Sequence, residues 1–337
     1  MGTKLKFGLL LPHFGRNASF RKILDGAKRA EEYGFDSVWV RDHLVFRPHD
    51  FEPQAFNSQD TTHITYFESF VTLAAVAAVT KKLLLGTAMN IPHRHPIHNA
   101  QLFATLSRLS GGRVIAGVGW GTYAHEFDAL GLPSTRDDFR GLFIEGVQIM
   151  RRLWSEGKLS HKGTYFTFED VEIRPQPVKK IPIWYGGRSP AACRMAVEFC
   201  DGWMPGHMPL ATFRKFARYT REQCQKNGRE MLPMATIPFT TIARDREASL
   251  SKVDIPGLWN EGNRNSTWVK PASGSFSRIE DMEGMLLWGT PGDIVEVTRK
   301  YEEAGLSHIV YDFRYRYDDW EEQMDLLGNE VLPQLRG

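Results

Sequence analysis

A strand–helix–strand unit occupies residues 83–119, with the sequence LLLGTAMNIPHRHPIHNAQLFATLSRLSGGRVIAGVG. The apolar runs at 83–87 and 113–119 are typical of strands buried on both faces, as in parallel sheets. Between these runs, Pro96 can open a helix, a stripe of leucines follows at helical spacing, and a glycine pair can end it. The stretch therefore predicts two parallel strands that are joined by a helix.

The same alternation extends in both directions along the chain. Eight strands are predicted, at 5–11, 36–40, 83–87, 113–119, 181–185, 202–204, 235–241 and 308–313. A stretch of helical period follows each of them, and eight strand–helix units in this order predict a (β/α)₈ TIM barrel of the α/β class. An open doubly wound sheet is the structural alternative, but the first strand-to-helix turn lacks the glycine-rich fingerprint of that fold.

Two long segments interrupt the alternation, 45–66 after the second strand and 243–277 after the seventh. Both follow the carboxyl ends of strands, where TIM-barrel active sites are built, so we expect functional loops or lids. For the polar stretch 261–277, a neutral surface insertion is an equal alternative. The range 1–337 is then predicted to form one barrel domain with two rim insertions.

Composition excludes several classes of protein. The 42 basic and 40 acidic residues give a net charge of +2, which indicates no nucleic-acid or anionic-membrane partner. No apolar run approaches the ~20 residues that span a bilayer. The 3 cysteines lack the spacing of a metal site, and we expect a cytoplasmic protein. The histidine-rich segment 93–98 has no nearby cysteine or carboxylate to complete a metal site, so Arg94 is expected to contact an anion or substrate instead.

The candidate catalytic residue is His43, which comes with Asp42 just after the second strand. A histidine at this rim can act as an acid or base near neutral pH. A structural histidine bonded to a carbonyl group is an equally good interpretation. Tyr123, His125 and Glu126, beyond the fourth strand, can also face the barrel mouth.

Small residues follow the third and fourth strands. After the third strand come Thr87, Ala88, Met89 and Asn90, where a flat ligand can approach the backbone and the Asn90 amide can bond a ring edge. After the fourth strand, the segment 117–122 begins like a dinucleotide motif but carries Thr122 in place of its last glycine. Its glycines still allow close approach of a ligand, and Trp120 can form an apolar wall.

The segment that follows the fifth strand predicts a phosphate site. It consists of Gly186, Gly187, Arg188 and Ser189, and Pro190 follows at a first helical position. Backbone N–H groups and the helix dipole can hold a phosphate there, with Arg188 as the counter-charge. An ordinary turn that needs glycine geometry is the alternative. The sequence lacks the motifs of serine hydrolases and zinc proteases, so we expect a bound phosphorylated cofactor to bring its own chemistry.

Together these segments resemble the bacterial luciferase-like monooxygenase family, a group of flavin- or deazaflavin-dependent (β/α)₈ enzymes. The resemblance extends over essentially the whole chain. It is carried by KFGLLLPHFG, AEEYGFDSVWVRDH, LLLGTAMNIPHRHP, LSGGRVIAGVGWGTYAHEFDALG, IPIWYGGRSPAACRMAVEFCDGWMPG and WGTPGDIVEVTRKYEEAGLSHIVYDF.

The resemblance implies a role for each candidate. His43 would be the active-site histidine beside the isoalloxazine ring. The segment from Thr87 to Asn90 would form a bulge behind that ring, often with a non-prolyl cis peptide. The residues from Gly186 to Ser189 would surround the cofactor phosphate, and the insertion at 243–277 would be a mobile lid. The residues lining the cofactor or substrate side would be Gly119, Trp120 and Thr122.

The resemblance leaves the cofactor open between two branches. The first expectation is a monooxygenase in which reduced FMN and O₂ oxygenate a small organic substrate, with a flavin reductase as the partner that supplies reduced flavin. The alternative is a coenzyme F420-dependent oxidoreductase that transfers hydride. A non-catalytic flavin-binding protein is a third hypothesis. The resemblance also implies a homodimer.

Overall fold

The barrel strands follow the predicted order. The computed structural model describes residues 4–15, 18–45, 65–121 and 123–337. Its barrel strands are β1 Lys6–Leu10, β2 Ser37–Val40, β3 Leu84–Thr87, β4 Val114–Val118, β5 Ile183–Tyr185, β6 Gly202–Trp203, β7 Ala235–Thr236 and β8 His308–Tyr311. Neighbours are parallel, in the order β6-β5-β4-β3-β2-β1-β8-β7, and a parallel bridge between Trp203 and Met234 joins the two ends. The predicted (β/α)₈ barrel is confirmed.

Helices surround the strands, and those that follow the third and fifth strands begin at Pro96 and Pro190, as predicted. They are α1 Phe20–Glu32, α2 Ser69–Val79, α3 Pro96–Leu109, α4 Arg136–Glu156, α5 Pro190–Phe199, α6 Leu210–Lys226, α7 Pro291–Glu303 and α8 Trp320–Leu326, which continues through Leu327–Val331 and Leu332–Arg336. The Ser19 hydroxyl accepts a hydrogen bond from the Lys22 amide at the start of α1. A reciprocal capping box of Thr290 and Asp293 opens α7.

The barrel interior is a packed core. Trp39 of β2 stacks on Trp184 of β5 with ring centroids 5.8 Å apart, and both rings meet His308 of β8 edge-on. A Cβ atom on Gly86 would lie 2.1 Å from the Trp39 ring, so the glycine makes room for the indole. The closed interior leaves the carboxyl ends of the strands as the place for a site.

The predicted seventh strand, 235–241, is wrong as a single element. After β7 the chain breaks at Pro238, which has no N–H to donate to a strand ladder. A second strand, Phe239–Ile242, pairs in parallel with Leu286–Gly289. The strand Leu286–Gly289 was missed in the sequence analysis. Its four residues stand directly before the Thr290 cap of α7 and were not separated from the start of that helix.

The remaining elements lie around the barrel. Residues 158–174 form a hairpin, with antiparallel strands Lys158–Lys162 and Thr167–Glu172. The other elements are the antiparallel pair Phe14–Gly15 and Thr65–Tyr66, the short helix Ala124–Ala129 and the 3₁₀ turns Glu280–Met282 and Arg314–Asp319. None of the described helices is both long and apolar enough to cross a membrane.

The two predicted insertions differ in what the structure describes. Most of 45–66 lies outside the described residues. The segment 243–277 contains helices Arg246–Leu250 and Ile255–Arg264, so the expectation of a long loop is corrected there. The physical reason is local capping, since the Asp245 and Asp254 carboxylates accept hydrogen bonds from the amides of Ala248 and Gly257.

Candidate active site

The candidate residues gather at one face of the barrel. His43 follows β2, the segment from Thr87 to Asn90 follows β3, Gly119 and Trp120 follow β4, and Gly186 to Ser189 follow β5. Parallel strands in a barrel place all their carboxyl ends at the same face. Thr122 lies outside the described residues.

His43 is held by a buried carboxylate. Its Nδ1 lies 3.0 Å from Glu126 Oε2. The other carboxylate oxygen, Oε1, accepts hydrogen bonds from the amides of Leu44 at 3.1 Å and Val45 at 3.4 Å. His93 Nε2 lies 3.5 Å from Oε2 on the same carboxylate. Glu126 therefore ties the chain after β2 to the short helix that follows β4.

The charge on Glu126 sets the chemistry of the histidine. Burial opposes ionisation of this side chain, which is 0% exposed, but the bonds from His43 and His93 hold its pKa well below the usual range. An ionised carboxylate only accepts hydrogen bonds, so the His43 hydrogen stays on Nδ1 and Nε2 becomes the acceptor nitrogen of the neutral ring. The His43 side chain is 18% exposed and can therefore reach a ligand.

Asp42 anchors a second buried network behind His43. Arg94 donates to both of its carboxylate oxygens, at 2.7 and 2.9 Å, and also to Glu68 at 2.8 Å. Ser69 and the Asn90 side-chain amide each donate to Asp42 at 2.8 Å. Burial opposes ionisation of Asp42, but Arg94 and Ser69 hold its pKa below the usual value. This network fixes the end of β2 against the end of β3.

This network engages residues that the sequence analysis assigned to ligand contacts. The Arg94 guanidinium is bound by two carboxylates, and its contact with an anion or substrate stays a prediction. The Asn90 amide N–H faces Asp42 rather than an open surface. Thr87 is also turned inward, and its hydroxyl donates to the Gly117 carbonyl at 2.7 Å.

The Ala88–Met89 peptide bond is cis, and Ala88 is not followed by proline. This is the position at which the family resemblance implies such a bond. The Met89 side chain lies between two glycines, since a Cβ on Gly186 would be 2.4 Å from Met89 Cγ and one on Gly119 would be 3.3 Å from Met89 Cβ. The ends of β3, β4 and β5 therefore meet at Met89.

The turn after β5 has the features of an anion site. Gly187 allows the tight turn, because a Cβ there would lie 2.6 Å from Ala192 Cβ. Ser189 caps α5 by accepting from the Ala192 amide at 3.2 Å. Within the described part of the chain, the N–H groups of Gly187, Arg188 and Ser189 have no acceptor. Three free amides at the start of a ten-residue helix suit a phosphate group.

Arg188 points away from this turn. Its guanidinium donates to Glu261 Oε1 at 2.6 Å and to the His207 carbonyl at 3.2 Å, and it lies 5.3 Å from the centre of the Trp268 ring. His207 Nε2 lies 3.0 and 3.2 Å from the two carboxylate oxygens of Glu261. The predicted counter-charge is thus paired with a carboxylate of the 243–277 insertion.

A wall of rings connects the two ends of the site. His43 meets Tyr66 edge-on at 5.9 Å, and Tyr66 packs on Phe14 at 5.6 Å. The remaining contacts run from Phe14 to Arg314 at 5.4 Å, from Arg314 to Phe239 at 4.9 Å, and from Phe239 to His207 at 3.8 Å. Trp120, predicted to supply an apolar wall, is half-buried against the barrel core and a cluster around Phe127.

Three site residues were not among the sequence candidates for catalysis or binding. Glu261 and His207 are brought to Arg188 from the insertion and the end of β6, and Glu126 was recognised only as one of three residues able to face the mouth. His207 directly follows the DGWMPG segment of the resemblance, which is the signal that could have found it. No sequence spacing points to Glu261.

Comparison with known proteins identifies the family. A family model described as luciferase-like monooxygenase matches residues 5–308. The chain belongs to this family. The match confirms the resemblance.

Several relatives with known activities are oxidoreductases. The chain is 34% identical to the F420-dependent glucose-6-phosphate dehydrogenase of Kineococcus radiotolerans, covering 94% of this chain and 93% of that protein. It is 31% identical to the F420-dependent hydroxymycolic acid dehydrogenase of Mycobacterium tuberculosis, with 98% and 88% covered. An F420-dependent secondary alcohol dehydrogenase in complex with an F420–acetone adduct superposes with a TM-score of 0.80 at 22% identity, covering 99% and 100%. The chain is an oxidoreductase, as expected.

Proposed function

We propose that this chain is a coenzyme F420-dependent oxidoreductase that interconverts a small alcohol and its carbonyl compound. The observation that carries the proposal is the His43–Glu126 pair at the barrel mouth, which supplies a proton acceptor without a metal or a nucleophile. The names of the relatives favour F420 over reduced FMN with O₂. The F420 alternative is therefore better supported than the monooxygenase expectation.

The residues present fit a phosphorylated deazaflavin cofactor. The free amides of Gly187, Arg188 and Ser189 would hold its phosphate, and the ends of β3 and β4 around Met89 would hold its ring system. When bound, coenzyme F420 supplies a ring that accepts or gives up a hydride. Cofactor binding by Gly119, Trp120, Thr122 and Asn90 stays a prediction.

His43 handles the proton of the reaction. When an alcohol is oxidised, a hydride leaves its carbon and the hydroxyl proton must go to a base. His43 Nε2 accepts this proton while Nδ1–H remains bonded to Glu126, and the buried carboxylate stabilises the imidazolium that forms. In the reverse direction the same nitrogen returns the proton to the carbonyl oxygen.

The surrounding residues orient the base and limit access of water. The Asp42–Arg94 bonds fix the segment that carries His43, and Tyr66 and Tyr123 pack on the His43 ring at 5.9 and 5.7 Å. A ring that is packed on two sides keeps one direction of approach for a substrate hydroxyl.

An anaerobic assay tests the proposal. The purified protein is mixed with oxidised F420 and secondary alcohols, or with reduced F420 and ketones, and the absorbance of the oxidised deazaflavin is followed. We expect turnover without oxygen, and a loss of about 10²-fold or more in kcat for His43→Ala. The matched control is His98→Ala, since His98 is exposed on α3 and its loss should leave kcat unchanged. Turnover that requires both reduced FMN and oxygen would refute the proposal.

A further inference from the structure

The described guanidinium groups of the mouth contact acidic side chains. Five guanidinium groups at the carboxyl ends of the strands or in the adjoining turns have an acidic partner. Arg41 and Arg314 share one, Asp312, and burial raises the pKa of this carboxyl group to about 7. The pairs are Arg41–Asp312, Arg94–Asp42, Arg188–Glu261, Arg314–Asp312 and Arg316–Asp319. The insertion also carries Lys270, whose ammonium donates to the carbonyls of Gly262, Asn263 and Asn265.

Glu261 is the residue that most affects an incoming anion. Burial opposes its ionisation, but His207 and Arg188 hold its pKa well below the usual range, so the carboxylate is charged. It bonds Arg188 and His207 at once, and its side chain is 26% exposed. A phosphate that approached Arg188 would have to displace this carboxylate or lie beside it, and like charges repel at such distances.

His207 offers a hydrogen-bond acceptor in place of a cation. Burial lowers its pKa despite the contact with Glu261, so the ring is neutral at pH 7. Its Nε2–H donates to Glu261, which leaves Nδ1 as a buried acceptor that has no donor among the described residues. A neutral ring at this position adds no positive charge that would attract a phosphate.

The wall between His43 and His207 is largely aromatic. It consists of the rings of Tyr66, Phe14 and Phe239 with the paired Arg314 between them, and Tyr315 meets Phe239 edge-on at 5.0 Å. Aromatic side chains favour apolar groups through their faces and edges. The wall therefore suits the carbon skeleton of a substrate better than a charged group.

We infer that the substrate is an uncharged alcohol or carbonyl compound with an apolar body, and that Glu261 excludes phosphomonoesters. The inference rests on the proposed function for the reaction, but its evidence is the charge pairing of the mouth. It assigns Glu261 to substrate selection, with His207 holding its carboxylate in place. Removing the Glu261 charge leaves Arg188 without its carboxylate, so phosphate esters should then bind.

Calorimetric titration tests the inference. Binding of F420 is measured first, and its absence would refute the proposed function alone. Cyclohexanol and glucose 6-phosphate are then titrated into the F420-loaded protein, or into the bare protein if F420 does not bind. We expect the wild type to bind cyclohexanol at least tenfold more tightly than glucose 6-phosphate. The variant Glu261→Gln should gain at least tenfold in affinity for glucose 6-phosphate and keep its cyclohexanol affinity within twofold.

The matched control is Glu280→Gln, because Glu280 is a nearby acidic residue paired with Arg278 at the surface. This variant should bind both probes as the wild type does. Tighter binding of glucose 6-phosphate than of cyclohexanol by the wild type would overturn the inference about the substrate. An unchanged glucose 6-phosphate affinity in Glu261→Gln, or an equal gain in Glu280→Gln, would overturn the role of Glu261.

Discussion

Replacing Glu126 with glutamine tests how the buried carboxylate supports His43. The variant keeps the shape of the side chain and an oxygen for the amides of Leu44 and Val45, but it removes the negative charge 3.0 Å from His43 Nδ1. Two unit charges about 4 Å apart interact by about 4 kcal/mol at an effective dielectric constant near 20. Solvent at the partly exposed His43 screens part of this, which leaves about 3 kcal/mol of imidazolium stabilisation.

A loss of about 3 kcal/mol in the transition state corresponds to about a hundredfold in kcat. Because Glu126 does not face the substrate, KM should stay within about threefold. The assay is steady-state reduction of F420 by an alcohol, together with the dissociation constant of F420. A Glu126→Gln variant that folds, binds F420 and keeps kcat within threefold of the wild type would refute the reasoning.

The chain offers a matched control in Glu145. Its Oε1 lies 3.0 Å from His161 Nε2, and the carboxylate also accepts from the amides of Thr164, Tyr165 and Phe166, so it repeats the bonding of Glu126 beside the 158–174 hairpin. The variant Glu145→Gln should lose comparable stability without a change in kcat. An equal loss of kcat in both variants would mean that the Glu126 effect is structural.

Three further predictions concern stability and are measured by urea unfolding. Gly117→Ala should lower the free energy of unfolding by about 3 kcal/mol, because the new Cβ would lie 1.9 Å from the Thr87 carbonyl oxygen. The control Gly206→Ala should change it little, because its Cβ meets nothing within 4 Å. Equal effects of the two variants would contradict this prediction. Asp42→Asn should lower the free energy of unfolding by about 3 kcal/mol, because it leaves Arg94 without its buried partner. Glu68 is more exposed, so Glu68→Gln should lower it by less than about 1 kcal/mol. An Asp42→Asn variant as stable as the wild type would contradict the anchoring role. The hydrogen bond from Arg246, with those from Thr290, lowers the pKa of Asp293 to about 2 in the folded protein. The ionised carboxylate therefore stabilises the fold at pH values above the pKa of the unfolded chain. This stabilisation is lost as the pH falls through the lower pKa of the folded protein. Asp293→Asn should therefore lower the free energy of unfolding by about 1 kcal/mol at pH 7 and by progressively less as the pH falls towards 2. A cost that does not vary with pH would exclude the linkage.

The sequence predicted the features that depend on neighbouring residues. Apolar runs and caps located the eight barrel strands, and the glycines of 186–187 with the Ser189 cap located the turn of free amides. Such features can be predicted because they depend on the backbone conformation and hydrogen bonding of residues that are close together in the sequence. The division of the seventh strand at Pro238 was missed because the apolar period continues across the proline.

The contacts that define the chemistry join distant parts of the chain. His43 and Glu126 are 83 positions apart, and Arg188 and Glu261 are 73 apart. Neither spacing carries a periodic signal, because the approach of these side chains depends on the closed barrel and on the placement of the insertion helix. For this reason Arg188 was predicted as an available cation and Arg94 as a ligand contact, and both proved to be paired with carboxylates.

The most direct test of the central claim is a competition titration of the purified protein with F420 and FMN in one buffer. The account predicts that F420 binds at least tenfold more tightly than FMN and displaces it at equal concentration. Tighter binding of FMN, with no displacement by F420, would contradict the account.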